Sequence, residues 1–317
     1  MKVNIVMSAY NGQEFIAEQI RSIQQQTFKD WKLLIRDDGS TDDTPKIIAD
    51  FAQQDSRIHF INAAERINYG VIKNFYTLVK YEKADYYFLS DQDDIWLPNK
   101  LELSLAEAQK YDNAKPLMVY TDLKIVDKHL QVLHESMIKT QSHHANQTLL
   151  QELTENTVTG GTAMFNHTLA EKWKVYDGIL MHDWYLALLA AALGELVYMD
   201  AATELYRQHE SNVLGARTWS KRLKNWLQPH KLLAKYWWLI TSSQKQAAYL
   251  LDLDLPKDKR QLVTAYVELL NQPWLQRRHD LKKYGFAKNR AFHTLIFKTL
   301  ITTKIGYSHY LKNGYQA

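Results

Sequence analysis

Val3-Asn4-Ile5-Val6-Met7-Ser8-Ala9-Tyr10-Asn11-Gly12 opens the chain with a short apolar run that breaks into small and polar residues. Such a run, closed by turn residues, reads as a strand that ends in a loop. The same unit then recurs. Phe15 to Gln25 carries apolar residues at Phe15, Ile16, Ile20 and Ile23, a helical spacing, and Trp31-Lys32-Leu33-Leu34-Ile35 is a second strand. Thr44-Pro45 opens a helix with proline at its first position, a hydroxyl residue as its cap, and Ile47, Ile48 and Phe51 on its inner face. Arg57 to Ile61 gives a third strand, Val71 to Val79 a helix, and Tyr86 to Leu89 a fourth strand. This β-α-β-α-β-α-β rhythm predicts an α/β fold, a mainly parallel sheet with helices on both faces. Ligands of such sheets bind beyond the carboxyl ends of the strands.

Those strand ends carry the polar clusters: Ser8 to Gly12, then Asp37-Asp38-Gly39-Ser40-Thr41-Asp42, then Asn68-Tyr69-Gly70, then Asp91-Gln92-Asp93-Asp94. Loops alone explain polarity, but not acids placed directly after strands. Asp91 and Asp93 leave an apolar strand at alternate positions, and both cannot sit unpaired in a dry core. Two carboxylates at that spacing suit one hard divalent cation, Mg²⁺ or Mn²⁺, which usually also takes phosphate oxygens. Without a metal they are an ordinary loop pair. The Asp37–Asp42 stretch is not a calcium loop, since acids at alternate positions, Gly at the sixth and Glu at the twelfth are missing. It serves as a turn and helix cap, yet it has more carboxylates than capping uses. An Asp at a sheet edge can accept the N–H of a pyrimidine base. No P-loop, G-x-G-x-x-G, H-E-x-x-H or G-x-S-x-G occurs, which argues against ATPase, dinucleotide redox, zinc-protease and hydrolase chemistry.

Past Leu117 the pattern turns mixed, with short strands expected near Met118–Tyr120 and Lys124–Val126 and an apolar core helix from Trp184 to Leu193. Thr159-Gly160-Gly161-Thr162 is a tight small-residue turn, either a plain turn or a place where a ligand approaches backbone. The 317 residues fit roughly two domains at about 150 residues each. With 46% hydrophobic and 23% charged residues the chain can bury a core, so global disorder is excluded. The absence of Cys rules out disulfides, thiolate metal sites, Fe–S clusters and a Cys nucleophile. No signal-peptide core precedes Ser8, and the longest apolar run, Trp184 to Leu193, is too short to span a bilayer. The expected location is cytoplasmic, at most peripheral at the inner face of the cell membrane.

Charge divides the chain. From Arg217 onward there are 19 Lys and Arg against 5 Asp and Glu, whereas residues 1–216 hold 20 basic and 30 acidic residues. Opposite signs suggest two parts with two jobs: 1–216, whose acids could hold a divalent metal, and 217–317, a basic, aromatic-rich helical region that could face an anionic surface. Trp219, Lys221, Arg222, Lys224, Trp226, Lys231, Lys235, Tyr236, Trp237 and Trp238 interleave basic and aromatic side chains, as interfacial helices do. A membrane surface and a homodimer interface both fit this stretch, as does ordinary core. No nucleic-acid-binding motif is present.

Taken in order, Val6-Met7-Ser8-Ala9-Tyr10-Asn11-Gly12, Arg36-Asp37-Asp38-Gly39-Ser40-Thr41-Asp42 and Asp91-Gln92-Asp93-Asp94 resemble the inverting glycosyltransferases of family 2, over about residues 1–215. Leu89 to Trp96 and Tyr206-Arg207-Gln208-His209-Glu210-Ser211-Asn212 are similar to its bacterial rhamnosyltransferase branch. The resemblance implies a GT-A fold, a dTDP- or UDP-sugar donor with rhamnose as the expected sugar, and Mg²⁺ or Mn²⁺. It also implies a saccharide acceptor, expected to be lipid-linked, in cell-wall or capsular polysaccharide synthesis. It assigns Ala9, Tyr10 and Asp38 (or Asp37) to the base, Asn68, Gly70 and Asn74 to the nucleotide's surroundings, and Asp91 with Gln92 to the ribose side. Asp91 and Asp93 take the metal, with His209 as a further ligand, and Arg207, Gly160 and Gly161 the diphosphate or sugar. The family's catalytic base, often the Asp of a Glu-Asp pair, falls on Asp183 in Met181-His182-Asp183-Trp184. His182 stands where the first acid is usual, so a share of the work for His182 stays open. Asp183 is equally placed to be the N-cap of the apolar helix that follows.

Two other readings exist. Asp91-Gln92-Asp93-Asp94-Ile95 nearly matches the first motif of haloacid-dehalogenase-type phosphatases, but Ile95 departs from it and the motif lies far from the N-terminus. A non-catalytic nucleotide-sugar-binding subunit would not need Asp91, Asp93 and Asp183 all intact.

Overall fold

The computed structural model describes residues 1–208 and 229–315. Its centre is one mixed sheet. Strands β1 (Val3–Ala9), β2 (Trp31–Asp37), β3 (Ile58–Phe60) and β4 (Tyr86–Ser90) run parallel in the order β3-β2-β1-β4. Helices α1 (Ile16–Gln24), α2 (Thr44–Gln54) and α3 (Val71–Tyr81) make the crossovers. Alternate side chains of each strand face opposite layers, as the period of two requires. Ile5, Met7, Leu33, Ile35 and Phe88 pack with α1, α2 and α4 (Lys100–Ala108). Val6, Leu34, Tyr87 and Leu89 face the other layer, with α3.

The second half of the sheet is where the structure adds to the sequence reading. Beyond β4 lie β8 (Ala163–Asn166), β6 (Leu117–Val126), β9 (Glu195–Arg207) and β5 (Ile95–Trp96), while β7 (Val132–His134) pairs with β6. Strand β8 is antiparallel to β4, with Phe88 opposite Met164, so the Gly160–Thr162 turn before β8 arrives at the carboxyl end of β4. Strand β9 runs parallel to β6 and ends at the same edge, where β5 pairs back onto it, Ile95 opposite Leu205.

Three local expectations are corrected. The two short strands near Met118 and Lys124 are one strand, irregular at Asp122, whose carboxylate turns aside to accept the N–H groups of Leu123, Met137 and Ile138. Thr44 is not the cap of α2; it lies inside the helix and its hydroxyl accepts the Gly12 N–H at 2.8 Å. Helix α7 begins at His182 and runs to Leu193, so Asp183 sits in its first turn and Met181 occupies the cap position. The capping reading of Asp183 therefore falls. Helix α7 is apolar all round and buried, as a core helix must be.

Helices α5 (Leu149–Thr154) and α6 (His167–Lys172) flank α7. The C-terminal region is helical as expected: α8 (Pro229–Ala248), α9 (Lys257–Val267), α10 (Trp274–Lys283), α11 (Ala291–Thr303) and α12 (Tyr307–Asn313). Trp237, Ile240, Tyr266, Phe297 and Ile301 join the same apolar cluster as Phe75, Leu186 and Leu189. Trp237 is thus core, its indole N–H donating to the Ile305 carbonyl at 2.9 Å. The boundary expected at 216/217, with Trp219, Lys221, Arg222, Lys224 and Trp226, lies outside the described residues. No helix among the described residues is long and apolar enough to cross a membrane.

Candidate active site

Parallel register brings Ala9, Asp37 and Ser90 to one edge of the sheet, so the loops after β1, β2 and β4 meet there. Gln92 clips two of them together: its side-chain oxygen accepts the Tyr10 N–H and its amide donates to the Tyr10 carbonyl, both at 2.8 Å. Ala9 is buried beneath, and the Tyr10 ring is half exposed above. Asp38 is buried, and accepts from Arg36 Nη1 at 2.8 Å, from the Tyr69 N–H at 2.7 Å and from the Gly70 N–H at 2.9 Å. It anchors the Asn68–Gly70 turn, in which Asn68 Oδ1 also accepts the Gly70 N–H. Arg36 lies 4.0 Å from the Tyr69 ring centre, a cation–π contact that fixes that ring. Asn74 is fully buried, donates to Ser8 Oγ at 2.6 Å and accepts from Arg36, so it braces this corner from inside. Asp37 Oδ2 accepts the Gly39 and Ser40 N–H groups, while its buried Oδ1 has no hydrogen-bond partner.

The acids after β4 form the second group. Asp91 and Asp93 are half-buried at the edge. Loss of solvent, followed by the charges of Asp93, Glu204 and Asp183, pushes the Asp91 carboxyl up to about 8. Four carboxylates within each other's field, at the mouth of a sheet, form a strongly negative site. Two features that the sequence reading missed hold it together. Lys100, at the start of α4, and Glu204, on β9, are a fully buried ion pair, and Lys100 Nζ also donates to the Gly161 carbonyl. Its ammonium lies 4.2 Å from the Trp96 ring centre and partly offsets the charge of Asp91 and Asp94. Asp94 accepts the Arg207 N–H at 3.0 Å, and burial raises its proton affinity. The Arg207 guanidinium donates to the Asp93 and Lys128 carbonyls and to the Glu18 carboxylate, so Arg207 braces the acidic loop. A diphosphate contact by Arg207 would need one of these bonds released. His209 lies outside the described residues.

The third group stands at the start of α7, close enough to the acids for Asp183 to add to the field at Asp91. Burial pushes Asp183 up to about 7, against the opposing backbone N–H groups of Trp184 and Gly160. A methyl group at Gly160 would lie 3.3 Å from His182 Nε2 and 3.9 Å from Asp183 Oδ2; one at Gly161 would lie 2.5 Å from Glu204 Oε1. The two glycines therefore let the turn slip between Asp183 and the Lys100–Glu204 pair. His182 stacks on Phe75 at 4.3 Å, and burial depresses it to about 3, so it is a neutral imidazole whose two ring nitrogens have no hydrogen-bond partner. Behind Asp183, the carboxyl of Glu152 is buried beside Asn146 and Thr157 and held toward its protonated form by that burial.

Among the described residues no three His, Asp or Glu side chains converge as a ready-made metal site. Asp91 and Asp93 still fit a magnesium- or manganese-like ion. Such ions are held by one or two carboxylates and complete their shell with water and substrate phosphate. Burial first, and then the charges of Asp93, Glu204 and Asp183, raise the proton affinity of Asp91, and a bound cation would lower it.

A family model described as "Glycosyl transferase family 2" matches residues 4–173. The chain is 32% identical, over 66% of its length and 74% of the relative's, to a Shigella flexneri protein named dTDP-rhamnosyl transferase RfbG. Among solved structures it resembles S. aureus TarS 1–349 in complex with UDP-GlcNAc, with a TM-score of 0.58 at 15% identity over 98% of this chain and 92% of that one. It also resembles the mannosyltransferase PcManGT from Pyrobaculum calidifontis in complex with GDP-Man and Mn2+, with a TM-score of 0.53 at 14% identity over 99% and 81%. At these identities the structural likeness speaks for the fold, which is the GT-A-like arrangement expected from the sequence.

Proposed function

The chain belongs to glycosyltransferase family 2, and from that premise we propose that it is a metal-dependent inverting enzyme that moves a sugar from a nucleoside-diphosphate donor to a saccharide hydroxyl. Rhamnose from dTDP-rhamnose is the first donor to try, since the rhamnosyl transferase relative carries that name. A UDP-sugar is the second, after the TarS complex. The acceptor we propose is a growing, lipid-linked cell-wall or capsular saccharide at the inner face of the membrane. The observation that supports the reading is that Asp183, in the first turn of α7, lies close enough to Asp91 for its charge to raise the Asp91 carboxyl.

The roles follow from placement. The base lies against Tyr10, with Asp37 Oδ1 the oxygen left to accept its N–H and Asp38, Asn68, Gly70 and Asn74 shaping the turn beside it. Asp91 and Gln92 lie toward the ribose. Asp91 and Asp93 would hold Mg²⁺ or Mn²⁺, with His209 a further candidate, and a bound cation neutralises charge that develops on the leaving diphosphate. Asp183 takes the proton of the acceptor hydroxyl as that oxygen attacks C1. The C1–O bond to the diphosphate breaks, and its electron pair leaves with the nucleoside diphosphate. Attack from the side opposite the leaving group inverts the anomeric centre. His182, neutral at working pH, takes no part in the proton transfer in this reading. Gly160 and Gly161 make room for His182, Asp183 and Glu204 beside the sugar's place rather than for the sugar itself.

The phosphatase alternative loses its support, because Asp91 follows the fourth strand of a sheet shared with glycosyltransferases. The test is a thermal-shift screen of nucleotide sugars with Mn²⁺. A ligand that binds only the folded chain raises its stability by mass action, about 2.7 kcal/mol at a hundred times its Kd. Stabilisation by dTDP-rhamnose or a UDP-sugar that disappears on chelation, or in Asp93→Ala, is the expected result. No response to any nucleotide sugar would reject the reading.

A further inference from the structure

Past Leu133, the exposed large apolar side chains among the described residues all fall between Trp274 and Leu311: Trp274, Leu275, Phe292, Leu295, Ile305 and Leu311. Four of them are 64–66% exposed, far more than packing beneath a surface needs. All but Ile305, which lies in the turn between α11 and α12, are on helix faces turned away from the bundle. Helix α11 buries Phe297, Leu300 and Ile301, while Phe292, Leu295, Thr299 and Thr303 make its outward stripe at spacings of three and four. Helix α10 buries Arg277, Asp280 and Leu281 and turns Leu275, Arg278 and Lys282 outward. Arg277 donates to the Thr302 carbonyl at 2.8 Å and so ties the start of α10 to the end of α11.

The charge around these residues has one sign. From Trp274 to the end of the chain there are nine Lys and Arg and one acid, Asp280, which is itself turned inward. Arg278, Lys282, Lys283, Lys298 and Lys312 make no ion pair among the described residues, and the Arg278 guanidinium lies 5.6 Å from the Trp274 ring centre. Apolar residues that emerge among unpaired cations suit the boundary of an anionic bilayer, where tails take the first and headgroups the second. The face also has a link to the site. The loop between α10 and α11 is fastened to the segment behind Asp183: Asn289 N–H donates to Glu155 at 2.7 Å and Thr154 donates to the Ala287 carbonyl. Trp184, next to Asp183, donates its indole N–H to the Glu152 carbonyl of that same segment at 2.7 Å.

We propose that the outer face of α10–α12 docks on an anionic lipid surface, which holds the chain, and with it the site, at the bilayer that carries the proposed acceptor. Only the purpose of the docking rests on the proposed transfer to a lipid-linked acceptor; the docking reads lipid and not sugar, and it is measured without substrate. The experiment is co-sedimentation of the full chain with phosphatidylcholine vesicles, with and without phosphatidylglycerol. Salt is set at about 0.1 M and about 1 M, over which the Debye length falls from about 10 Å to about 3 Å. The wild type is expected to pellet with phosphatidylglycerol vesicles at low salt, weakly at high salt, and little with phosphatidylcholine alone. Phe292→Ser/Leu295→Ser and Lys282→Glu/Lys283→Glu, all at exposed positions, should each keep the wild-type melting temperature and weaken partitioning on the order of tenfold or more. No pelleting of the wild type, or undiminished pelleting of both variants, overturns the proposal. So does a dimer that Phe292→Ser/Leu295→Ser dissociates while vesicle binding stays unchanged, since the face would then belong to a second copy.

Discussion

Asp183 stands in the first turn of α7 without being its cap, and burial holds its carboxyl at about 7 rather than 3.8. That position carries a stability cost. The unfolded chain loses this proton near 3.8 while the fold keeps it until about 7. Between those values stability falls as pH rises, and above about 7 the full penalty applies. At roughly 1.4 kcal/mol per pKa unit the penalty is at most about 4 kcal/mol. Asp183→Asn removes the charge at nearly constant size. It is expected to melt above the wild type at pH 8 and level with it below pH 4, as read by thermal unfolding across pH. A variant less stable than the wild type at pH 8 would mean that the carboxylate serves the fold. The same titration sets the sign of the pH–rate profile. Turnover should fall on the acid side as Asp183 takes up its proton, with a limb at or below about 7, because a cation nearby lowers that value. His182, depressed to about 3, should contribute no limb, so His182→Gln should leave the shape of the profile unchanged.

Among the elements, the Lys100–Glu204 pair joins α4, β9 and the Gly160–Thr162 turn beneath the acidic loop. Lys100→Met would leave Glu204 buried without its counter-charge, a change that costs about 3–5 kcal/mol. Lys100→Met/Glu204→Leu should recover most of that loss, and urea midpoints of both variants check it. A single variant within about 1 kcal/mol of the wild type would contradict the placement. None of this was legible in the chain. Lys100 follows Pro98-Asn99 and reads as a surface lysine at a helix start, and Glu204 sits among alternating polar and apolar residues of a strand. Their meeting depends on β8 and β9 returning to the edge of β4 from far along the sequence, which periodicity does not carry. The four parallel strands, by contrast, were plain. Each is an apolar run between turn residues, and each ends in the cluster that the register aligns at one edge. The acids of that edge stood out for the same reason, as carboxylates next to buried runs where packing had no use for them, whereas Asp183 was reached only through the family resemblance and its neighbours alone suggested a helix cap. The sequence could not separate ligand from brace. Asp38, Asn74 and Arg207 were read as binding groups, and the structure occupies them with protein donors and acceptors.

At the scale of the whole molecule, the basic helical region is not an appendage. Trp237, Tyr266, Phe297 and Ile301 share one apolar cluster with α3 and α7. Lys259 donates to the Ala191 carbonyl at 2.9 Å, and Gln246 accepts the Leu180 N–H at 3.0 Å. The chain cut after residue 208 would bare that cluster, and is expected to bind a hydrophobic dye and aggregate. A monodisperse, cooperatively unfolding fragment would show instead that the sheet domain folds alone. The account as a whole stands on division of labour across one sheet edge, donor and cation at Asp91 and Asp93, proton at Asp183. The most direct test is to measure donor binding and nucleoside-diphosphate release together, with Mn²⁺ and acceptor, for the wild type and Asp183→Asn. Asp183→Asn should bind the donor as the wild type does and release product about 10²–10⁴ times more slowly; release at the wild-type rate would contradict the account.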